Sequence, residues 1–181
     1  MPHANPAATP ASAFRPSGTA LAALIVALAS AATLAGAWFF QLVIGLAPCP
    51  LCLEQRIPYY VAIPVALMAA VAADQRRPTL ARLLLGAAGV LMLAAAGLAI
   101  YHAGVEWHWW QGPTACSGAG PVQGGNLLTD LNAARVVRCD EAPWRLFGIS
   151  LAGWNALIAA TLAVVAFAGV AGRGARRGGV Q

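Results

Sequence analysis

The sequence predicts an all-α fold: a polytopic membrane protein built as a four-transmembrane-helix bundle, with a long exported loop between helices 3 and 4. Three observations predict it. Of the 181 residues, 60% are hydrophobic and 9% charged, and mean hydropathy is +0.69, far from the balance of a soluble domain. Four apolar runs reach about the 20 residues needed to cross the hydrocarbon. The eleven arginines, with no lysine and six acids against them, gather at the ends of those runs. Positive-inside topology accounts for that placement, so the formal charge of +5 argues for a lipid bilayer and against nucleic acid. The organisation expected is a tail at 1–17, a helical body at 18–171 with its exported loop at about 106–145, and a tail at 172–181.

The first run, about 19–44, lies in a stretch without charge from Pro16 through Leu53. Arg15 ahead of small and apolar residues also suits a cleaved signal peptide, but the run continues through Trp38, Phe39 and Phe40, past the length of a signal core. The second, about 53–73, keeps Glu54 and Arg56 in its first turn and Tyr59 and Tyr60 at interface depth. Pro58 and Pro64 should bend it, because each lacks an N–H donor and crowds the preceding turn. The third, about 80–105, ends in Glu106-Trp107-His108-Trp109-Trp110, an aromatic belt. Its small residues Gly86, Ala87, Gly89, Ala94, Ala95 and Gly97 would allow close helix packing. The fourth, about 146–170, follows Trp144 and Arg145.

Charge sets the orientation. Arg15, the group Arg76, Arg77 and Arg82, and the group Arg173, Arg176 and Arg177 mark cytoplasmic segments, which places both termini inside. Cys49, Cys52, Cys116 and Cys139 then all fall on the exported side, where disulfides form and persist.

The chemistry centres on Pro48-Cys49-Pro50-Leu51-Cys52-Leu53-Glu54-Gln55-Arg56. Pro50 suits the first helical position, so Cys49 falls near the N-cap and Cys52 within the first turn. The helix dipole then favours a negative sulfur at Cys52. Arg56, four residues on, lies one turn along the same face, able to approach that sulfur or a ligand docked against it. The four cysteines allow three pairings. Most simply Cys49 bonds its neighbour Cys52, leaving Cys116 for Cys139 across a loop broken by Gly112-Pro113, Ser117-Gly118, Gly120-Pro121 and Gly124-Gly125. Within that loop Leu127, Leu128, Leu131 and Ala134 share one arc, as in a short helix lying on the membrane.

Blander readings stand beside these. Cys116 and Cys139 could be an inert staple. Cys49 and Cys52 could hold zinc with His102 or His108, although no second Cys-x-x-Cys completes a zinc pattern, so no metal is expected. His102 alone suits an interfacial or core histidine, and Arg56 a snorkelling one at a helix end.

The Cys-x-x-Cys opening the second of four spans, the arginine four residues after it and the cysteine pair before the fourth span resemble the disulfide bond formation protein B (DsbB) family. Cys49 through Arg56 and Cys139-Asp140-Glu141-Ala142-Pro143-Trp144 carry the resemblance most specifically, with Tyr101-His102-Ala103-Gly104-Val105-Glu106 in support. It covers about 19–170. The resemblance implies a quinone-dependent protein-disulfide oxidoreductase of the bacterial inner membrane. Its expected partner is a periplasmic thioredoxin-fold oxidase of the DsbA type, and its acceptor the membrane quinone pool, ubiquinone or menaquinone. It further implies that Cys116 is attacked by the partner's thiol, that Cys139 is its resolving mate, that Cys52 contacts the quinone and that Arg56 assists there. It gives no role to Leu53, Glu54 or Gln55, and leaves those of His102 and Gln41 open. Alternatives are a quinone-linked thiol reductase of the vitamin K epoxide reductase type, whose Cys-x-x-Cys falls late in the bundle, and a non-enzymatic bundle with structural disulfides.

Overall fold

A computed structural model describes residues 17–114 and 138–172. Among the described residues four spans are long and apolar enough to cross a membrane: Gly18–Leu42, Pro50–Asp74, Pro78–Glu106 and Leu151–Ala171. We name α1 Gly18–Leu42, α2 Pro50–Glu54, α3 Ile57–Asp74, α4 Pro78–Glu106, β1 Arg145–Leu146, β2 Ile149–Ser150 and α5 Leu151–Ala171. Helix α1 packs on α3 and α5, and α4 packs on the same two from the opposite side, closing a four-membered ring. Cys116, the candidate amphipathic helix around Leu127 to Ala134, and both tails before 17 and after 172 lie outside the described residues.

The second span is divided where the sequence expects a bend. Pro58 has no N–H to offer the Glu54 carbonyl and its ring crowds that group, so α2 stops at Glu54. Gln55 and Arg56 nevertheless stay in right-handed helical dihedrals, φ −63°, ψ −20° and φ −77°, ψ −26°. Cys52 and Arg56 therefore remain about one turn apart although they belong to different helices. Pro64, six residues beyond Pro58, is accommodated inside α3.

The fourth run starts later than its composition predicts. Arg145 pairs with Ser150 and Leu146 with Ile149 in a small antiparallel hairpin. Its turn residues Phe147 and Gly148 have φ of 52° and 80°, the left-handed pair that matches strand twist in a two-residue hairpin. Ser150 Oγ then accepts from Gly153 N at 3.1 Å, and this N-cap starts α5 at Leu151.

The core is made largely of alanine. Ala23, Ala62, Ala66, Ala69, Ala88 and Ala95 are fully buried around Val26, Tyr59, Leu85 and Met92, whereas Leu28, Leu83, Val90 and Val164 face outward, as lipid-exposed side chains do. Of the six small residues predicted to pack the third span, Gly86, Gly89 and Ala95 face neighbours; Ala87, Ala94 and Gly97 face outward, since residues 100° apart cannot all share one face. At Gly89 an added Cβ would lie 3.0 Å from the Phe167 ring. Tyr60 is exposed, and Trp38 Nε1 donates to its hydroxyl at 2.9 Å. Tyr59, one residue earlier, points the other way and is 1% exposed in the core.

The belt at the end of α4 folds back on the helix. Trp109 N donates to the Gly104 carbonyl at 2.9 Å, and Trp110 Nε1 donates to the Tyr101 carbonyl at 2.8 Å. The Trp110 ring lies so close over Gly104 that no Cβ fits beneath it.

Candidate functional site

At the end of the bundle opposite the Arg76-Arg77 turn, Cys49 is the N-cap of α2. Its sulfur accepts from Cys52 N at 3.2 Å, and its thiol donates to Cys52 Sγ at 2.8 Å. The structure holds both as free thiols. Closing them to roughly 2.05 Å, a disulfide length, needs a shift of less than an ångström. The hydrogen bond to Cys52, with burial second, pushes the Cys49 thiol well above its ordinary range. Because α2 has only five residues, a long-helix dipole contributes less here than the sequence suggests. Local N–H groups and Arg56 supply the positive field instead.

The two sulfurs face different surroundings. Cys49, 3% exposed, packs in a buried cluster with Leu51, Val105 and Cys139. Cys139 is itself in a disulfide, the other half of which lies outside the described residues. Cys52 instead lines a cavity of about 530 Å³ walled by α1, α2, α3, the end of α4 and α5. Its apolar walls include Ala37, Phe40, Leu151 and Ile158, while Gln41, Arg56, His102 and Glu106 bring polar atoms to the thiol end. Phe40 and Trp144 pack ring against ring, centroids 4.9 Å apart, beside it.

Arg56 is not a snorkelling side chain. It is 8% exposed, its Nη1 donates to Gln41 Oε1 at 2.7 Å, and its guanidinium carbon lies 5.2 Å from the centroid of the Trp38 ring, within cation–π range.

A buried chain of hydrogen bonds braces the other wall. Tyr59 OH donates to Asn155 Oδ1 at 2.6 Å, and Asn155 Nδ2 donates to Gln55 Oε1 at 2.7 Å. Gln55 Nε2 reaches both the Leu51 carbonyl, at 3.2 Å, and His102 Nδ1, at 2.6 Å. The Leu51 carbonyl can only accept, so it orients the amide with its NH2 toward His102. Nδ1 is then the acceptor and Nε2 carries the proton. That Nε2 is 3.6 Å from Cys49 Sγ and 3.9 Å from Glu106 Oε1, and the Cys139 backbone is a further hydrogen-bond partner of the ring.

The zinc alternative keeps part of its geometry. Ligand atoms of Cys49, Cys52 and His102 lie within 4.8 Å of one another, while His108 lines a separate pocket. With Nδ1 occupied by Gln55 and a proton on Nε2, however, His102 has no free lone pair for a metal.

Spacing in the sequence points to Cys49, Cys52 and Arg56, whereas nothing local singles out Gln55, Asn155 or the inward face of Tyr59, and Glu106 stands at the head of the aromatic belt. Their available signal was polarity inside an apolar run, since such groups in a membrane helix need partners.

The family described as "Disulfide bond formation protein DsbB" matches residues 19–169. Similar proteins include "Disulfide bond formation protein B" of Albidiferax ferrireducens, 30% identical over 161 residues, covering 84% of this chain and 87% of that protein. "Disulfide bond formation protein B 1" of Pseudomonas fluorescens is 30% identical over 142 residues, 74% of this chain and 78% of its own. "Disulfide bond formation protein B" of a Polaromonas strain is 28% identical over 149 residues, 78% and 84% of the two chains. No solved structure gives a significant match. With four spans and this thiol site, the chain is a multi-pass membrane protein that belongs to the DsbB family of disulfide bond formation proteins.

Proposed function

We propose that this chain is a quinone-dependent protein-disulfide oxidoreductase: it reoxidises a periplasmic DsbA-type dithiol oxidase and passes two electrons to ubiquinone or menaquinone, sustaining disulfide formation in exported proteins. The observation that carries the reading is the position of the thiol pair. Cys49 touches the cluster that contains Cys139, and Cys52 opens on the cavity, so one Cys-x-x-Cys turn has a disulfide-bearing loop on one side and a ligand-sized space on the other.

The cavity fits a quinone by its chemistry. Apolar walls suit an isoprenoid-bearing ring, and Arg56, held by Gln41 and Trp38, places a fixed cation where carbonyl oxygens would gain negative charge. A bound quinone supplies a two-electron, two-proton acceptor. Cys116 is the sulfur attacked by the partner's thiolate, and Cys139 leaves as its mate in the Cys116–Cys139 bond. Cys139 then exchanges onto Cys49, its neighbour in the buried cluster, which releases Cys52 facing the cavity; the partner's second thiol displaces Cys116, and Cys116 recloses on Cys139, leaving Cys49 and Cys52 as a dithiol. In the resting oxidised enzyme Cys49 and Cys52 form the second disulfide. The arginine-bearing turn at 75–77 and both termini are cytoplasmic, and the thiol end is exported.

The test follows quinol and the partner's disulfide together, using the detergent-purified full chain, a reduced thioredoxin-fold dithiol partner and a short-chain quinone. Equal amounts of the two products are expected, both lost in Cys52→Ser and Cys116→Ser while the variants still insert. Normal turnover by Cys52→Ser would refute the electron path.

A further inference from the structure

We propose that Glu106 is the proton donor to the ligand reduced in the cavity, a catalytic acid at the end of α4. This role rests on the quinone reading above. Glu106 is 5% exposed, lines the cavity, and its Oε2 has no hydrogen-bond partner among the described residues. Its other contacts hold the carboxyl in place: Ser150 hydrogen-bonds it, Arg145 on the hairpin acts on it electrostatically, and His102 Nε2 is 3.9 Å from Oε1. A buried carboxyl oxygen without a partner is costly as a structural element. Beside a thiol pair and facing open space, it is placed to give or take a proton.

Proton accounting calls for such a group. When Cys49 and Cys52 join, two S–H bonds break and one S–S bond forms. Two electrons leave the sulfurs for the quinone, and two protons must reach its two oxygens. Glu106 gives its carboxyl proton to one oxygen. It is reprotonated by the proton that leaves Cys49, while the proton of Cys52, whose thiol opens on the same cavity, goes to the other oxygen. Cys49 and Glu106 share a neighbour, His102 Nε2, at 3.6 and 3.9 Å, so the thiol and the acid lie within one side chain of each other. Among the described residues, the ionisable or charged groups around the carboxyl are His102 on its own helix, Cys52 on α2, Arg56 and Tyr59 across the cavity, and Arg145 on β1. From α1 and α5 it faces the uncharged Gln41 and Asn155.

The experiment uses the full chain in detergent with dithiothreitol as reductant and a short-chain ubiquinone as acceptor, so that no protein partner is needed. Glu106→Gln is expected to lower kcat on the order of 10²-fold, the usual worth of a general acid, with KM for the quinone little changed. Glu106→Asp should recover part of the loss. Independently of turnover, the redox-difference infrared spectrum of the wild type should contain a carboxyl C=O band that is lost in Glu106→Gln. Wild-type kcat in Glu106→Gln, or the same band persisting in it, would overturn the role of Glu106 and leave the quinone reading intact. Failure of the wild type to reduce quinone at all would overturn the quinone reading, and the role of Glu106 with it.

Discussion

Replacing Gln55 with leucine removes the centre of the hydrogen-bonded chain while keeping side-chain volume. Three bonds go: to the Leu51 carbonyl, to His102 Nδ1 and from Asn155 Nδ2. Side-chain hydrogen bonds inside membrane proteins average about 0.6 kcal/mol each, which puts the minimum loss at about 2 kcal/mol. The Leu51 carbonyl keeps the Gln55 backbone N–H as donor, so only His102 Nδ1 and Asn155 Nδ2 are left without partners. At about 1–3 kcal/mol for each orphaned buried group, the ceiling is about 6 kcal/mol. The expected loss is about 2–4 kcal/mol, read as a shift in the SDS-induced unfolding of the detergent-solubilised chain followed by circular dichroism. A double-mutant cycle with Asn155→Leu should return a coupling of about 0.5–3 kcal/mol. A Gln55→Leu protein within about 0.5 kcal/mol of wild type, additive with Asn155→Leu, would refute the network and with it the tautomer assigned to His102.

Gly104→Ala drives a methyl into the Trp110 ring and should cost about 1–3 kcal/mol by overpacking, with a shift in tryptophan fluorescence; an unchanged spectrum and midpoint would count against the folded-back belt. Bidentate hydrogen bonding from Arg138 holds the Asp140 carboxyl down to about 2 against an ordinary 3.8. A depressed folded value adds stability above the unfolded one and loses it as pH falls through the folded one. The stability difference between wild type and Asp140→Asn should therefore be constant from about pH 8 to 5 and disappear between about pH 4 and 2, as acid unfolding would measure.

The spans were legible because hydrocarbon thickness acts on composition directly, and residue-level packing was not. Pro58 announced a bend, yet only the preserved helical dihedrals at Gln55 and Arg56 keep Cys52 and Arg56 on one cavity. The late start of α5 depends on Ser150 acting as a cap and on Phe147 adopting a positive φ, a conformation a bulky residue gives no sign of in sequence. The thiols and Arg56 were readable from spacing of three and four residues. The Tyr59–Asn155–Gln55–His102 chain was not, because it joins three spans and no local spacing encodes which polar residues meet across a bundle.

The alanine-lined interior turns the usual map of mutational tolerance inside out. In a water-soluble bundle, enlarging a surface residue is harmless and shaving a core residue leaves a void. Here the wide side chains already point to lipid, as Leu28, Leu83 and Val164 do at 68% exposure each, so trimming them removes little that the fold depends on. Adding even one branch at Ala62, Ala66 or Ala69, each 0% exposed, forces neighbouring helices apart. Those helices also form the cavity walls, so such substitutions should first register as a change in the dimensions of the ligand site, before any loss of helix content.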